Sequence, residues 1–141
     1  MERNASALLV TLTLGALPGC DLVEKPDGVD VVNDTVEIAA PLSSAAVTSA
    51  FIPFTLPTAG EVHVGIDWEP RANRVSFAVS DGACSTSPCP SEIDIGPFTD
   101  GARQKPLSGQ SVLSAHPYTL RIDNWGPTAV RATYSVWLIV R

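Results

Sequence analysis

The chain has 141 residues and a formal charge of −6, from 9 Lys and Arg against 15 Asp and Glu. So acidic a balance does not suit nucleic-acid phosphate or an anionic lipid surface as a partner, because both select clustered Lys and Arg. Twelve prolines and ten glycines would be hard to house in a helical bundle, and no segment combines a sustained helical period with caps.

Met1 to Asn4 is a short polar start, and Ala5 to Leu17 follows as thirteen residues without a charge. That is the length of a secretory h-region, and it falls short of the ~20 apolar residues that a helix needs to cross a bilayer. No later apolar run is long enough to cross one either. The run closes on Leu17-Pro18-Gly19-Cys20. An apolar anchor three residues before a lone Cys, with a small residue just ahead of it, resembles the lipobox of bacterial lipoproteins. The resemblance implies removal of residues 1–19, a diacylglyceryl group on the Cys20 thiol and acylation (palmitate or similar) of the new amino terminus. The address it implies is the cell envelope, facing the periplasm or the exterior. Two or three acyl chains, at ~0.8 kcal/mol per buried CH₂, hold such a protein on a membrane durably.

Removing nineteen residues from 141 leaves 122, one domain's worth and enough for a core without further staples. With Cys20 lipidated, Cys84 and Cys89 remain as an even pair in a turn-rich loop, Asp81 to Pro90. In an oxidising compartment they read as a disulfide, with half a zinc site as the rival. Residues 20–34 are acidic and broken at Pro26-Asp27-Gly28, and they read as the lipidated terminus and a tether, although Val29, Val31 and Val32 are able to seed an edge strand.

Residues 35–141 read as one β domain. Glu61–Trp68, Asn73–Ser80 and Tyr118–Asn124 alternate with period 2, which is the pattern of half-buried antiparallel strands. Ala50–Leu56 contains Pro53 and is expected at an edge or a bulge. Val36–Ala39, Ser91–Ile95 and Gln110–Leu113 are shorter candidates. Val130–Val140 is apolar on both faces near its end, as expected of a central strand covered twice or covered by the tether. Pro- and Gly-rich turns at 57–60, 69–73, 81–82, 97–106 and 125–127 separate the runs at the spacing of an antiparallel β-sandwich.

The order Phe54-Thr55-Leu56, Ala59-Gly60-Glu61-Val62 to Ile66-Asp67-Trp68, Asn73 to Val79, Pro117 to Ile122 and Tyr134-Ser135-Val136 looks like the bacterial pre-peptidase C-terminal domain. That resemblance covers about ninety residues, from near Ser49 to Val140. It implies a jelly-roll-like sandwich of a kind appended to secreted enzymes, some of which bind calcium or polysaccharide.

Asp67, Glu69, Asp81, Asp94, Asp100 and Asp123 fall at strand ends and loops, where they offer oxygen to Ca²⁺. No D-x-D-x-D-G loop is present, so they read as solvated carboxylates and no metal is assigned. His63 and His116 would need to meet Ser108, Ser111 or Ser114 to act as bases. Without a G-x-S-x-G elbow or an S-x-x-K motif they read as ordinary surface histidines, and no catalytic residue is assigned. Trp68, Trp125 and Trp137 are candidates for a sugar-stacking platform. Trp68 shares the phase of its strand's core residues and is expected to be buried, whereas Trp125 lies in a turn and is the candidate ligand-binding residue. The expectation is an exported, lipid-anchored, non-catalytic module that binds protein or glycan and needs no cofactor. The alternative is an accessory lipoprotein that braces or pilots an envelope or secretion complex.

Overall fold

A computed structural model describes residues 28–93, 95 and 106–140. Eight strands account for them: β1 (Val29–Ile38), β2 (Thr48–Thr55), β3 (Gly60–Glu69), β4 (Val75–Asp81), β5 (Glu92–Ile93), β6 (Leu107–Leu113), β7 (Pro117–Asn124) and β8 (Val130–Ile139). They form two four-stranded sheets, ordered β1-β8-β3-β6 (sheet A) and β2-β7-β4-β5 (sheet B), and every pairing is antiparallel. The first four strands pair in turn with the last four taken backwards, β1 with β8, β2 with β7, β3 with β6 and β4 with β5. A long antiparallel hairpin rolled up in this way is a jelly roll.

The alternation seen in the sequence is the alternation of the sandwich. Val62, Val64, Ile66 and Trp68 of β3 point inward with Ala132, Tyr134, Val136 and Leu138 of β8, and they meet Val75, Phe77 and Val79 of β4 and Leu120 and Ile122 of β7 in one core. The twelve largest fully enclosed side chains all belong to this layer. At ~25 cal/mol per Å² of apolar area removed from water, it dominates the stability.

The structure decides between three pairs of alternatives. Residues 29–34, read as tether with valines able to seed an edge strand, are the first six residues of β1, an edge strand paired with β8 whose register shifts between Asp30 and Val32. Pro53 sits on edge strand β2 in unbroken register with Thr119, so it marks an edge and not a bulge. β8 is central, between β1 and β3, as its two-sided pattern implied, but Val140 lies beyond its end and is 56% exposed. Much of the 97–106 turn lies outside the described residues, as do Cys20, Asp94 and Asp100.

The molecule has two distinct ends. Val29 pairs with Leu138 and Ile38 pairs with Val130. The segment that enters β1 therefore joins the sandwich at the opposite end from the β7–β8 turn that carries Trp125. A ten-residue strand separates the two by ~30 Å.

Candidate functional site

Trp125 is placed by side chains buried beneath it. Asn124, at the end of β7, is fully buried. Its Nδ2 donates to Thr128 O (2.8 Å) and Ala39 O (3.1 Å), while its Oδ1 accepts the Gly126 N–H (3.0 Å). Asn73, also buried, donates through Nδ2 to Thr128 O (2.7 Å) and, at 3.4 Å, to Asn124 Oδ1, and it accepts the Thr128 hydroxyl (3.1 Å). Trp68 completes the support by donating its indole N–H to Asn73 O at 2.9 Å. A Cβ on Gly126 would lie 2.3 Å from the Asn73 side chain, so the turn packs this closely only with glycine there. Buried amides with every group matched hold one geometry firmly, because any displacement leaves polar atoms unsatisfied.

On this base the indole of Trp125 folds back over the outward face of sheet B while remaining 40% exposed. Its backbone N–H donates to Arg74 O (2.9 Å), and the Arg74 guanidinium lies 5.7 Å from the ring centroid, a cation–π distance. The indole N–H donates to Ser76 Oγ (2.9 Å), and Ser76 Oγ in turn donates to Asp123 at 3.4 Å. Asp123 also accepts from Ser49 Oγ (2.6 Å) and Arg121 Nε (3.0 Å), and Arg121 reaches on to pair with Glu92 of β5. Only 3% of Asp123 is exposed, and its carboxylate is kept there by these charge-assisted bonds.

The result is a recess of about 260 Å³ over β4 and β7, with Trp125 at one side and Ser76, Ala78, Arg121, Asp123 and Glu92 around it. A second recess, of about 300 Å³, borders Trp125 along Pro41, Ser43, Ser44 and Pro127. An indole beside a set of fixed hydrogen-bonding groups accepts a ligand with both C–H surface and hydroxyls. The Arg121 guanidinium in the recess lining is already matched by two carboxylates, Glu92 and Asp123.

The other half of this sheet face is closed. Cys84 and Cys89 are joined, with Cα atoms 5.7 Å apart. The zinc alternative therefore falls away. The disulfide loop crosses β7, where Thr119 donates to Gly82 O (2.8 Å) and accepts from the Cys84 N–H (3.1 Å). Thr119 and Ser80 are consequently buried on what would otherwise be an open surface. Directly after the loop, Glu92 pairs with Ser80 in β5, which brings its carboxylate to Arg121.

The remaining candidates are dispersed. Trp68 is in the core at 1% exposure, and Trp137 is on the outward face of sheet A, so the three tryptophans form no common platform. His63 is not an ordinary surface histidine: only 16% of its side chain is exposed, its ring stacks on Trp137 at 5.2 Å, and its Nε2 lies 2.8 Å from Glu61 Oε1. Cross-strand register between β3 and β8, invisible in either segment alone, brings that pair together. His116 pairs with Asp81 at 2.5 Å, while Ser108 and Ser111 lie on β6 and Ser114 meets Tyr118. Asp67 is taken by Arg71 (2.7 Å) and by the Trp68 N–H. Among the described residues no three of His, Cys, Asp or Glu come together as a metal would need.

No family model matches the chain, and no curated protein matches it. Among solved structures it is similar to a carbohydrate-binding module (CBM6cm-2) from Cellvibrio mixtus lichenase 5A, in complex with cellotriose. The two are 12% identical, with a TM-score of 0.38, over 82% of this chain and 92% of that one.

Proposed function

We propose that this is an exported lipoprotein, anchored through lipid on Cys20, whose sandwich acts as a non-catalytic binding module with Trp125 at its recognition site. Trp125 carries the reading. It is an indole held partly exposed by a buried asparagine network, beside a recess lined with hydrogen-bonding side chains, at the end of the sandwich remote from the N-terminal segment. A neutral glycan matches that lining best, since the aromatic surface suits its C–H faces and Asp123, Ser76 and Glu92 suit its hydroxyls.

Cys20 precedes β1 by nine residues, at most ~30 Å of chain. Lipid on Cys20 would thus hold the Val29 end toward the bilayer and present Trp125 away from it. The test is a glycan array probed with the full chain in detergent, beside Trp125→Ala. Retention of one or more neutral glycans by the parent and their loss in the variant is expected, whereas identical profiles would remove Trp125 from the site. Intact mass of the membrane-extracted protein tests the anchor separately: a chain beginning at Cys20 with added acyl mass is expected, and an unmodified residue 20 with residues 1–19 attached would refute it.

A further inference from the structure

Three glycines lie within strands, and two are explained by the fold. A Cβ on Gly60 would sit 2.4 Å from Ile139 O, and one on Gly109 would sit 2.8 Å from Ile95 O. Backbone passes over both positions and leaves no room for a side chain. Gly65 is different. It lies in the middle of β3, a central strand, in unbroken register with Ser108 on one side and Ser135 on the other. The nearest atoms to a Cβ there would be the rotatable Ser135 hydroxyl, at 3.3 Å, and the Trp137 ring, at 3.5 Å. No backbone and no bulge requires glycine at this point. Glycine in a strand interior otherwise weakens the strand, and it commonly marks a place where a ligand comes close.

What lies over Gly65 agrees. Two adjoining hollows of about 350 Å³ each open on the outward face of sheet A and share Asp67 and Thr133. One runs over Gly65 between Asn33, Ser108 and Ser135, and the other continues past Thr35 to Glu69 and Arg131. The groove thus crosses all four strands, a width of ~14 Å. The Trp137 ring, stacked on His63, stands 3.5 Å from the point that a Cβ on Gly65 would occupy. The groove's polar side chains are the hydroxyls of Thr35, Thr133, Ser108 and Ser135, the Asn33 amide, Arg131 and two carboxylates, Glu69 and an Asp67 already bonded to Arg71. Arg131, at the far end, faces Glu37 at 3.8 Å. Such a lining has no excess of positive charge for phosphate or sulfate, and it sets short hydroxyl partners near an aromatic ring.

We propose that this groove is a second binding site, separate from Trp125 and on the opposite sheet, which takes an extended neutral polyhydroxylated chain laid across the strands over Gly65. The experiment is affinity electrophoresis of the full chain in non-ionic detergent through native gels that contain hydroxyethyl cellulose, laminarin, xylan or glucomannan. Parent, Trp125→Ala, Gly65→Leu and Ser108→Leu are run together, and thermal unfolding is followed by circular dichroism for each. Ser108 is exposed, so its variant fills the groove mouth without touching the core, whatever Gly65→Leu does to folding. Retardation by at least one polysaccharide, weakened tenfold or more in Ser108→Leu, is the expected result. Retardation by none, or retardation that Ser108→Leu leaves unchanged, overturns the groove. If only Trp125→Ala abolishes retardation, the Trp125 site stands and the groove falls.

Discussion

The two outward faces of the sandwich are shaped differently. On sheet B, a disulfide loop covers one half, and a buried carboxylate, a guanidinium and a folded-back indole shape the other. On sheet A the surface is left open by small residues, with a single stacked Trp–His pair standing above it. The first site is built from long-range contacts, since Asn73 and Asn124 are 51 residues apart and Ser49 and Asp123 are 74 apart. The second follows from strand register alone. A preorganised recess depends on its supports, so damage beneath it should be felt at once, whereas substitution in an open groove should leave the stability of the fold little changed.

The largest expected effect is at the supports of sheet B's recess. Asn124→Ala leaves the Ala39 carbonyl and the Gly126 N–H without their partner, and it should lower unfolding free energy by about 3 kcal/mol in a urea titration. Ligand binding at Trp125 should weaken with it. A stability unchanged within error would mean that the turn is held by something else.

Opening the disulfide comes next. Replacing Cys84 and Cys89 by Ser should reduce stability by ~2 kcal/mol on the chain-entropy estimate for so short a loop. Because Glu92 follows the loop and pairs with Arg121, affinity at the Trp125 recess should fall as well, and any binding on sheet A should not. Equal effects on both faces would erase the distinction between them.

Glycine substitutions sharpen the contrast further. Gly60→Ala must displace backbone at Ile139 and should unfold well below the parent. Gly65→Ala need only turn the Ser135 hydroxyl, and it should melt no lower than the parent, with a gain of up to ~0.5 kcal/mol from the reduced freedom of the unfolded chain. A large loss at Gly65 would show that the fold requires glycine there after all.

How much of this was legible in the sequence depends on where the information lies. β3, β4, β7 and β8 stand out because Val, Ile, Phe and Trp alternate with polar residues, and one such face is buried. Asp30, Asn33 and Asp34 give the start of β1 the composition of a linker, and its valines are the local sign of pairing. Ser108 and Gly109 carry little apolar signal, so the start of β6 is not legible locally even though Leu107 closes the core. The burial of Trp68 follows from its phase. Trp125 was recognisable as a turn residue, but the direction in which it folds is decided by Asn73, in a separate part of the chain. Nothing local announced the stacking of His63 on Trp137 or the gap over Gly65, because both arise only when β3 lies between β6 and β8.

The smallest effect concerns Tyr134, which faces Asp34 across β1 and β8. Burial, and then the Asp34 charge, raise its hydroxyl pKa above the ordinary 10.0. The folded chain therefore holds this proton more tightly than the unfolded chain does. Its contribution is fully present below pH 10 and is lost as pH rises through the folded-state value. Tyr134→Phe should flatten the loss of stability above pH 10, as read from urea midpoints across that range.

Recognition through Trp125 is tested most directly by the indole N–H resonances of the three tryptophans during titration with a glycan retained on the array. The Trp125 signal, whose N–H is bonded to Ser76, should move in a saturable manner while the enclosed Trp68 signal stays in place. A titration that reaches saturation with the Trp125 resonance unmoved would contradict the assignment of the site.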